Sequence, residues 1–285
     1  MPKAAAKPSQ PAKTRGAVGE MVEIVKTVVY ALLIALVLRV VLFQPYTIPS
    51  ASMEPNLLAG DYIIVSKFSY GYSRHSIPFS PPIFHGRIPN RAPTRGDIIV
   101  FKLPRDGHTD YIKRLIGLPG DRIQVRQGQV YINDKPIKRQ TLAPTVDDVG
   151  YGYQRPVNHY RETMPNGRSY VTNGYGADGG ADNTGVYVVP AHCYFMMGDN
   201  RDNSLDSRFD PGPPPAGAGP TGSCGWDPSL DSHVQGDLGV GFVPEENLVG
   251  KAQIILLSWK PGASLFKPWT WVMNLRLSRS FRLLS

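Results

Sequence analysis

An apolar run near the N-terminus constrains this chain more than any other feature. Between Ile24 and Phe43 the only charged side chains are Lys26 and Arg39, and Thr27 to Leu38 is nearly all apolar. About 20 such residues suffice, as a helix, to cross a bilayer core. Arg39 lies one turn from the outer end, where its long stem can reach the headgroups. The competing reading is a cleavable secretory signal with Thr27–Leu38 as its apolar region. Against it, the run continues past Arg39, and Gln44-Pro45-Tyr46 does not look like a small-residue cleavage site. The basic tail ahead of the run, with no comparable basic cluster just behind it, puts the N-terminus in the cytoplasm and everything from Gln44 onward on the outer side.

Charge supports that division. Residues 1–15 carry four basic side chains and residues 251–285 carry six, with no acid in either segment, while the whole chain has a formal charge of +8. The body is therefore close to neutral and the basicity is terminal. This pattern suits anionic lipid at both ends better than a nucleic-acid groove, and no nucleic-acid-binding motif appears. Cys193 and Cys224 stand alone, without a histidine cluster, so they do not make a metal set; a disulfide and two unpaired cysteines both remain open.

Beyond the run, short β-type segments alternate with turn residues. Asp61–Ser66, Asp97–Leu103, Tyr111–Ile116, Asp121–Arg126, Gln129–Ile132, Val186–Val189, Tyr194–Met197 and Leu248–Trp259 read as strands, with Gln127-Gly128 and Asn133-Asp134 closing tight hairpins. No window shows a helical stripe. Residues 141–185 are Gly-, Asn- and Tyr-rich and promise only scattered short strands. The expected organisation is a basic cytoplasmic tail over 1–22, a single transmembrane helix over 23–43, and a mainly β domain over 44–260. That domain carries an irregular excursion at 69–95 and an insertion at 210–240. A basic, Trp-containing tail over 261–285 is suited to the membrane interface, or else is a frayed solvated end.

The first stretch with chemical interest is Ile48-Pro49-Ser50-Ala51-Ser52-Met53-Glu54-Pro55. Two prolines stiffen the loop around two serines. A serine needs a base to act as a nucleophile. None of the six histidines lies in a recognisable catalytic motif, and no G-x-S-x-G elbow exists. Lysine is the alternative, because desolvation makes its proton easier to lose. Lys113 is the best candidate: alternation puts it on one strand face between Tyr111 and Leu115, with Ile112, Arg114 and Ile116 on the other. A surface lysine on an edge strand is the plain alternative. Gly198–Arg208 (GDNRDNSLDSR) is dense in polar groups. It fails as a calcium loop, since Ser204 stands where the glycine belongs, leaving a solvated turn or a buried polar network.

Together and in this order, these stretches resemble bacterial signal peptidase I, or leader peptidase: Pro-Ser-x-Ser-Met-x-Pro after an apolar run, then Arg-Gly-Asp-Ile-Ile-Val-Phe, then Tyr-Ile-Lys-Arg-Leu-Ile-Gly-Leu-Pro-Gly-Asp, then Gly-Asp-Asn-Arg-Asp-Asn-Ser-Leu-Asp-Ser-Arg. The matching blocks are 44–66, 95–135, 187–209 and 241–257. The resemblance implies a large antiparallel β-sheet catalytic domain. It implies Ser52 as nucleophile and Lys113 as general base, with Ser50 joining the Ser52 amide in the oxyanion hole. Ser204 would orient the lysine, and Asp206, Arg208 and Arg114 would form a supporting network. Ile48, Pro49, Tyr111 and Ile112 would line shallow pockets for small side chains. Asp97, in the Arg-Gly-Asp run, is read as structural. No metal or organic cofactor is implied. The partners expected are signal-peptide-bearing preproteins, anionic membrane lipids and the translocation machinery, with no nucleic acid.

Many members of that family carry two membrane helices before the serine, where this chain shows one, and the cysteines match no family disulfide. Two rivals stand beside this reading. A self-cleaving Ser-Lys repressor-type protease would need a DNA-binding module where the apolar run lies. A non-enzymatic, membrane-anchored assembly factor would use the polar loops only structurally.

Overall fold

The strands form because β-branched and aromatic residues recur at alternate positions between Gly-, Pro- and Asn-containing turns. The computed structural model describes residues 17–77, 80–82, 85–148, 154–176, 179–212, 224, 233–260 and 269–284. Residues 1–16 of the expected tail, 213–223 and 225–232 of the expected insertion, and 261–268 lie outside the described residues.

The chain divides into two units, Met1–Arg39 and Val40–Ser285. In the first, helix α1 spans Ala17–Val37. It begins ahead of the apolar run, with Glu20 in its first turn, where a carboxylate favours the helix dipole. A π-helical segment, Leu38–Leu42, follows, and Phe43 already belongs to a strand. The expected 23–43 helix is thus shifted toward the N-terminus and shared among three conformations. Among the described residues no helix is long and apolar enough to cross a membrane; Glu20, Glu23 and Lys26 all fall within α1. Its apolar side chains are nevertheless open, with Val18 at 76% and Leu32 at 65% exposure.

The second unit is built on one antiparallel sheet. Its strands are β1 (Phe43–Thr47), β2 (Asp61–Ser66), β3 (Ile98–Lys102), β4 (Asp110–Gly117), β5 (Cys193–Met197), β6 (Val243–Pro244), β7 (Leu248–Ser258) and β8 (Arg282–Leu283). The order is β1-β2-β7-β3-β4-β5-β6, with β8 paired to β7. β3 lies inside this order and is apolar on both faces. Ile98 and Val100 join a cluster with Ile48, Met53, Leu57, Ile63 and Val65. Ile99 and Phe101 join another with Leu115, Tyr194, Met196 and Leu248. Register pairs Ile99 with Lys113, so Lys113 shares the second face.

Two smaller four-stranded sheets complete the β structure among the described residues. One contains Arg122–Arg126 and Gln129–Ile132, whose turn places Gln127 and Gly128 at φ 49° and 70°. Positive φ at both central residues matches the right-handed twist of a tight hairpin, and glycine adopts it freely. The other contains Gln154–Thr163 and Ser169–Gly174. This hairpin is far more regular than the composition of 141–185 suggests. Its first strand, QRPVNHYRET, has few apolar residues to betray an alternation, and its stability comes from paired neighbours on both edges.

Cys193 and Cys224 form a disulfide, with Cα atoms 5.6 Å apart. The C-terminal segment is held in place by Arg279, which pairs with Asp61 at 2.6 Å and donates to Asn56 O at 2.8 Å, and by Arg276, which donates to Ala59 O at 3.0 Å. β8 then adds to β7, and Leu284 packs against the core.

Candidate active site

Ser52 sits in the turn that follows Pro49. The next residue, Met53, is completely buried and anchors the loop in the core beneath β2 and β3. The loop is also clamped from the other side. Asn200 N–H donates to Ser52 O at 3.1 Å, and Asn200 Nδ2 donates to Ala51 O at 3.2 Å. The Gly198–Arg208 stretch is therefore a buried polar network that closes on the serine loop.

Lys113 reaches Ser52 from the neighbouring strand. Its Nζ lies 2.6 Å from Ser52 Oγ, and the side chain is only 4% exposed. Burial pushes its pKa down to about 8, although Asp206 and Asp199 pull the other way. Ser50 Oγ lies 3.4 Å from Ser52 Oγ. Ser50, Ser52 and Lys113 are thus brought together from two segments sixty residues apart in the chain.

Ser204 lines the same cleft, but among the described residues its Oγ makes no hydrogen bond, so the orienting contact to Lys113 that the resemblance implies is not made as a hydrogen bond. It packs against Gly198, where an added Cβ would come within 2.2 Å of Ser204 Oγ and 2.6 Å of Ser52 O. The absence of a side chain at Gly198 is what lets the network approach the serine loop so closely.

The supporting charges form two separate pairs. Asp206 receives Arg208 Nε at 2.9 Å and Gly198 N–H at 2.9 Å. Burial alone would raise its pKa, but Arg208 overcomes this and holds it below the usual value. Arg114 instead grips Asp199, with Nε to Oδ1 at 2.7 Å and Nη2 to Oδ2 at 2.8 Å, and lies over the Tyr170 ring. The single network expected around Asp206 is therefore corrected: Arg114 belongs to Asp199, because the β3–β4 register turns it to the face opposite Lys113. A third buried pair joins Arg201 to Glu162.

A cleft of about 660 Å³ opens beside Ser52. Pro49, Tyr111 and Ile112 line it together with Ser50, Ser52 and Lys113. Ile48 does not line it; at 3% exposure it is packed in the core with Met53 and Ile63. Ile48 turns inward because its N–H and C=O are tied to Asp61 O and Gly60 N–H, which leaves the following proline to face the cleft. β4 pairs with β3 through Asp110–Arg114 but with β5 only from Arg114 onward, so Asp110–Lys113 keep one edge without a strand partner among the described residues. Asp97 lies away from the cleft, held by Tyr70, Lys251 and Arg168. Asp199, Asn200 and Gly198 went unassigned in the sequence. Their only signal was membership of the same polar stretch as Ser204 and Asp206. Among the described residues no group of three or more His, Cys, Asp or Glu side chains is placed to hold a metal ion.

The family model described as signal peptidase, peptidase S26, matches residues 21–220. The signal peptidase I of Rickettsia typhi (strain ATCC VR-144 / Wilmington) is 38% identical over 272 residues, covering 89% of this chain and 90% of that protein. That of Rickettsia felis (strain ATCC VR-1525 / URRWXCal2) is also 38% identical, covering 89% of each. A crystal structure of a signal peptidase I from Enterococcus faecalis V583 is 23% identical, covers 56% of this chain and 97% of that one, and has a TM-score of 0.28.

Proposed function

Because the chain belongs to the signal peptidase I family, peptidase S26, and is therefore a protease, we propose that it is a serine endopeptidase that removes signal peptides from exported preproteins by a Ser52–Lys113 dyad. The observation that carries this reading is the 2.6 Å approach of a buried Lys113 amine to Ser52 Oγ. With Lys113 neutral, Ser52 donates its hydroxyl proton to Nζ while Oγ attacks the scissile carbonyl. The resulting ammonium then returns the proton to the leaving amine. The Ser52 amide and the Ser50 hydroxyl supply the donors for the oxyanion. Ser204 lines the cleft together with Lys113, and the Asp206–Arg208 and Asp199–Arg114 pairs hold the surrounding walls.

The substrate enters extended. The unpaired edge of Asp110–Lys113 offers backbone groups for one more strand. Pro49, Tyr111 and Ile112 crowd the cleft next to Ser52, which favours small residues such as alanine before the scissile bond. The exposed apolar surface of α1, extended by the π-helical segment, serves as the membrane anchor, with the N-terminus in the cytoplasm and the catalytic domain on the outer face. Anchoring confines the enzyme to the surface where signal peptides lie and raises their effective concentration.

The lysine base gives this reading a pH signature. Lys113 is active when neutral, so kcat/KM for an Ala-x-Ala preprotein should fall about tenfold per pH unit below about 8. The assay uses the full chain in detergent. A rate that stays flat from neutral pH down to about pH 5 removes Lys113 as the base.

Gly198 offers a second check. Gly198→Ala should displace Ser52 or Ser204 and lower kcat/KM about a hundredfold, since a shift near 1 Å is that costly to alignment. Unchanged cleavage by the folded variant would mean that the network does not position the nucleophile.

A further inference from the structure

The basic residues of the C-terminal segment meet different fates. Arg276 and Arg279 are spent internally, on backbone carbonyls and on Asp61. Arg282 is exposed, and its guanidinium makes no hydrogen bond or ion pair among the described residues. Across from it stands Arg161, on the Gln154–Thr163 strand. Alternation sends Glu162 inward to the buried Arg201 and leaves Arg161 on the opposite face, also exposed and unpaired among the described residues. Both arginines line one polar pocket of about 160 Å³, together with Ser169 and the already neutralised Arg114.

Among the described residues no carboxylate lines this pocket. Two guanidinium groups facing one small polar cavity repel each other unless an anion lies between them, and the planar fork of arginine matches phosphate oxygens in pairs. We propose that this pocket binds a phosphate-bearing anion, held by Arg161 and Arg282, with Ser169, whose hydroxyl also meets Thr163 Oγ1 at 2.7 Å, lining the same pocket. Phe281 and Leu283, on either side of Arg282, are 68% and 77% exposed. A phosphate attached to an acyl-bearing headgroup would therefore find apolar surface beside its charge. The lipid form of the ligand deepens the reading of a membrane-facing enzyme and rests on it; the anion site itself does not depend on cleavage.

The test titrates the full-length Ser52→Ala variant in non-ionic detergent and follows Tm. The probes are inorganic phosphate, short-chain phosphatidylglycerol and the zwitterionic short-chain phosphatidylcholine, each against sodium chloride at matched ionic strength. A ligand that binds only the folded state raises Tm in a saturable way. The expected result is a saturable rise with phosphate or phosphatidylglycerol and none with chloride. Half-saturation should move at least about tenfold in Arg161→Gln or Arg282→Gln, and the rise should vanish in the double variant. Both side chains are exposed and unpaired, so the ligand-free Tm should stay unchanged. Saturation by phosphatidylglycerol far below the concentration needed for phosphate assigns a lipid headgroup; equal concentrations assign free phosphate. No saturable rise with either, or an undiminished rise in the double variant, overturns the site. Because no cleavage is measured, a failure here is distinguishable from a failure of the peptidase reading.

Discussion

Lys113→Met is expected to lower preprotein cleavage by on the order of 10⁵-fold or more, and Ser52→Ala by a similar factor. Methionine keeps nearly the length and volume of the lysine stem but has no group to take a proton. Lys113 is 4% exposed and sits opposite Ile99 on an apolar face. The substitution removes a buried amine from that face, so Tm should hold or rise while activity disappears. Loss of activity with retained stability is what separates a catalytic lysine from one that only supports the fold. The double variant should be no slower than either single one, since nucleophile and base act as a unit. The measurement is single-turnover cleavage of a preprotein at an Ala-x-Ala site, with thermal unfolding followed in parallel. If both single variants still cleave at that site, the dyad is wrong, and the rival of a non-enzymatic role for these loops gains ground.

Asp199→Ala should act in the opposite way, mainly on stability. Arg114 and Asp199 are each 1% exposed and meet through two hydrogen bonds. Burial works against the Arg114 charge, but Asp199 more than offsets it and leaves the guanidinium above its ordinary pKa. Removing the carboxylate strands a buried cation and also takes away one of the two acceptors of Asn56 Nδ2, which donates to Asp199 at 2.7 Å and to Val171 O at 2.6 Å. The expected cost is about 3–5 kcal/mol, a fall in Tm on the order of 10 °C for a domain of this size. Arg114→Met combined with Asp199→Leu should recover most of the loss, because two apolar side chains leave no charge unpaired. A change in Tm of only a degree or two for Asp199→Ala would show that the pair is not what braces the wall behind the dyad.

The two variants separate the parts of the site that were legible in the sequence from those that were not. The stiff Pro49–Pro55 loop, the two serines and the alternation around Lys113 could all be read locally. Alternation singled out Lys113 as the best candidate, and the resemblance made that choice firm. Several features escaped because they depend on partners far away in the chain. Arg114 could have paired with any acid of the polar stretch, and only the face it occupies on β4 selects Asp199 over Asp206. Ile48 is apolar and adjacent to the cleft-lining Pro49, yet its backbone bonds to Gly60 and Asp61 turn it into the core. The pairing of Cys193 with Cys224 was open for the same reason.

By itself, then, the sequence determined a long apolar run, a mainly β body, and a rigid serine loop with its catalytic candidates, because composition, alternation and proline geometry are local properties. The tertiary structure decided how the apolar run divides between helix and strand, which acid neutralises which arginine, and how far Lys113 is withdrawn from water. Those outcomes follow from burial and charge pairing. Both are set by strand register and by the closure of Gly198–Arg208 on Ser52, and no stretch of chain can fix them alone.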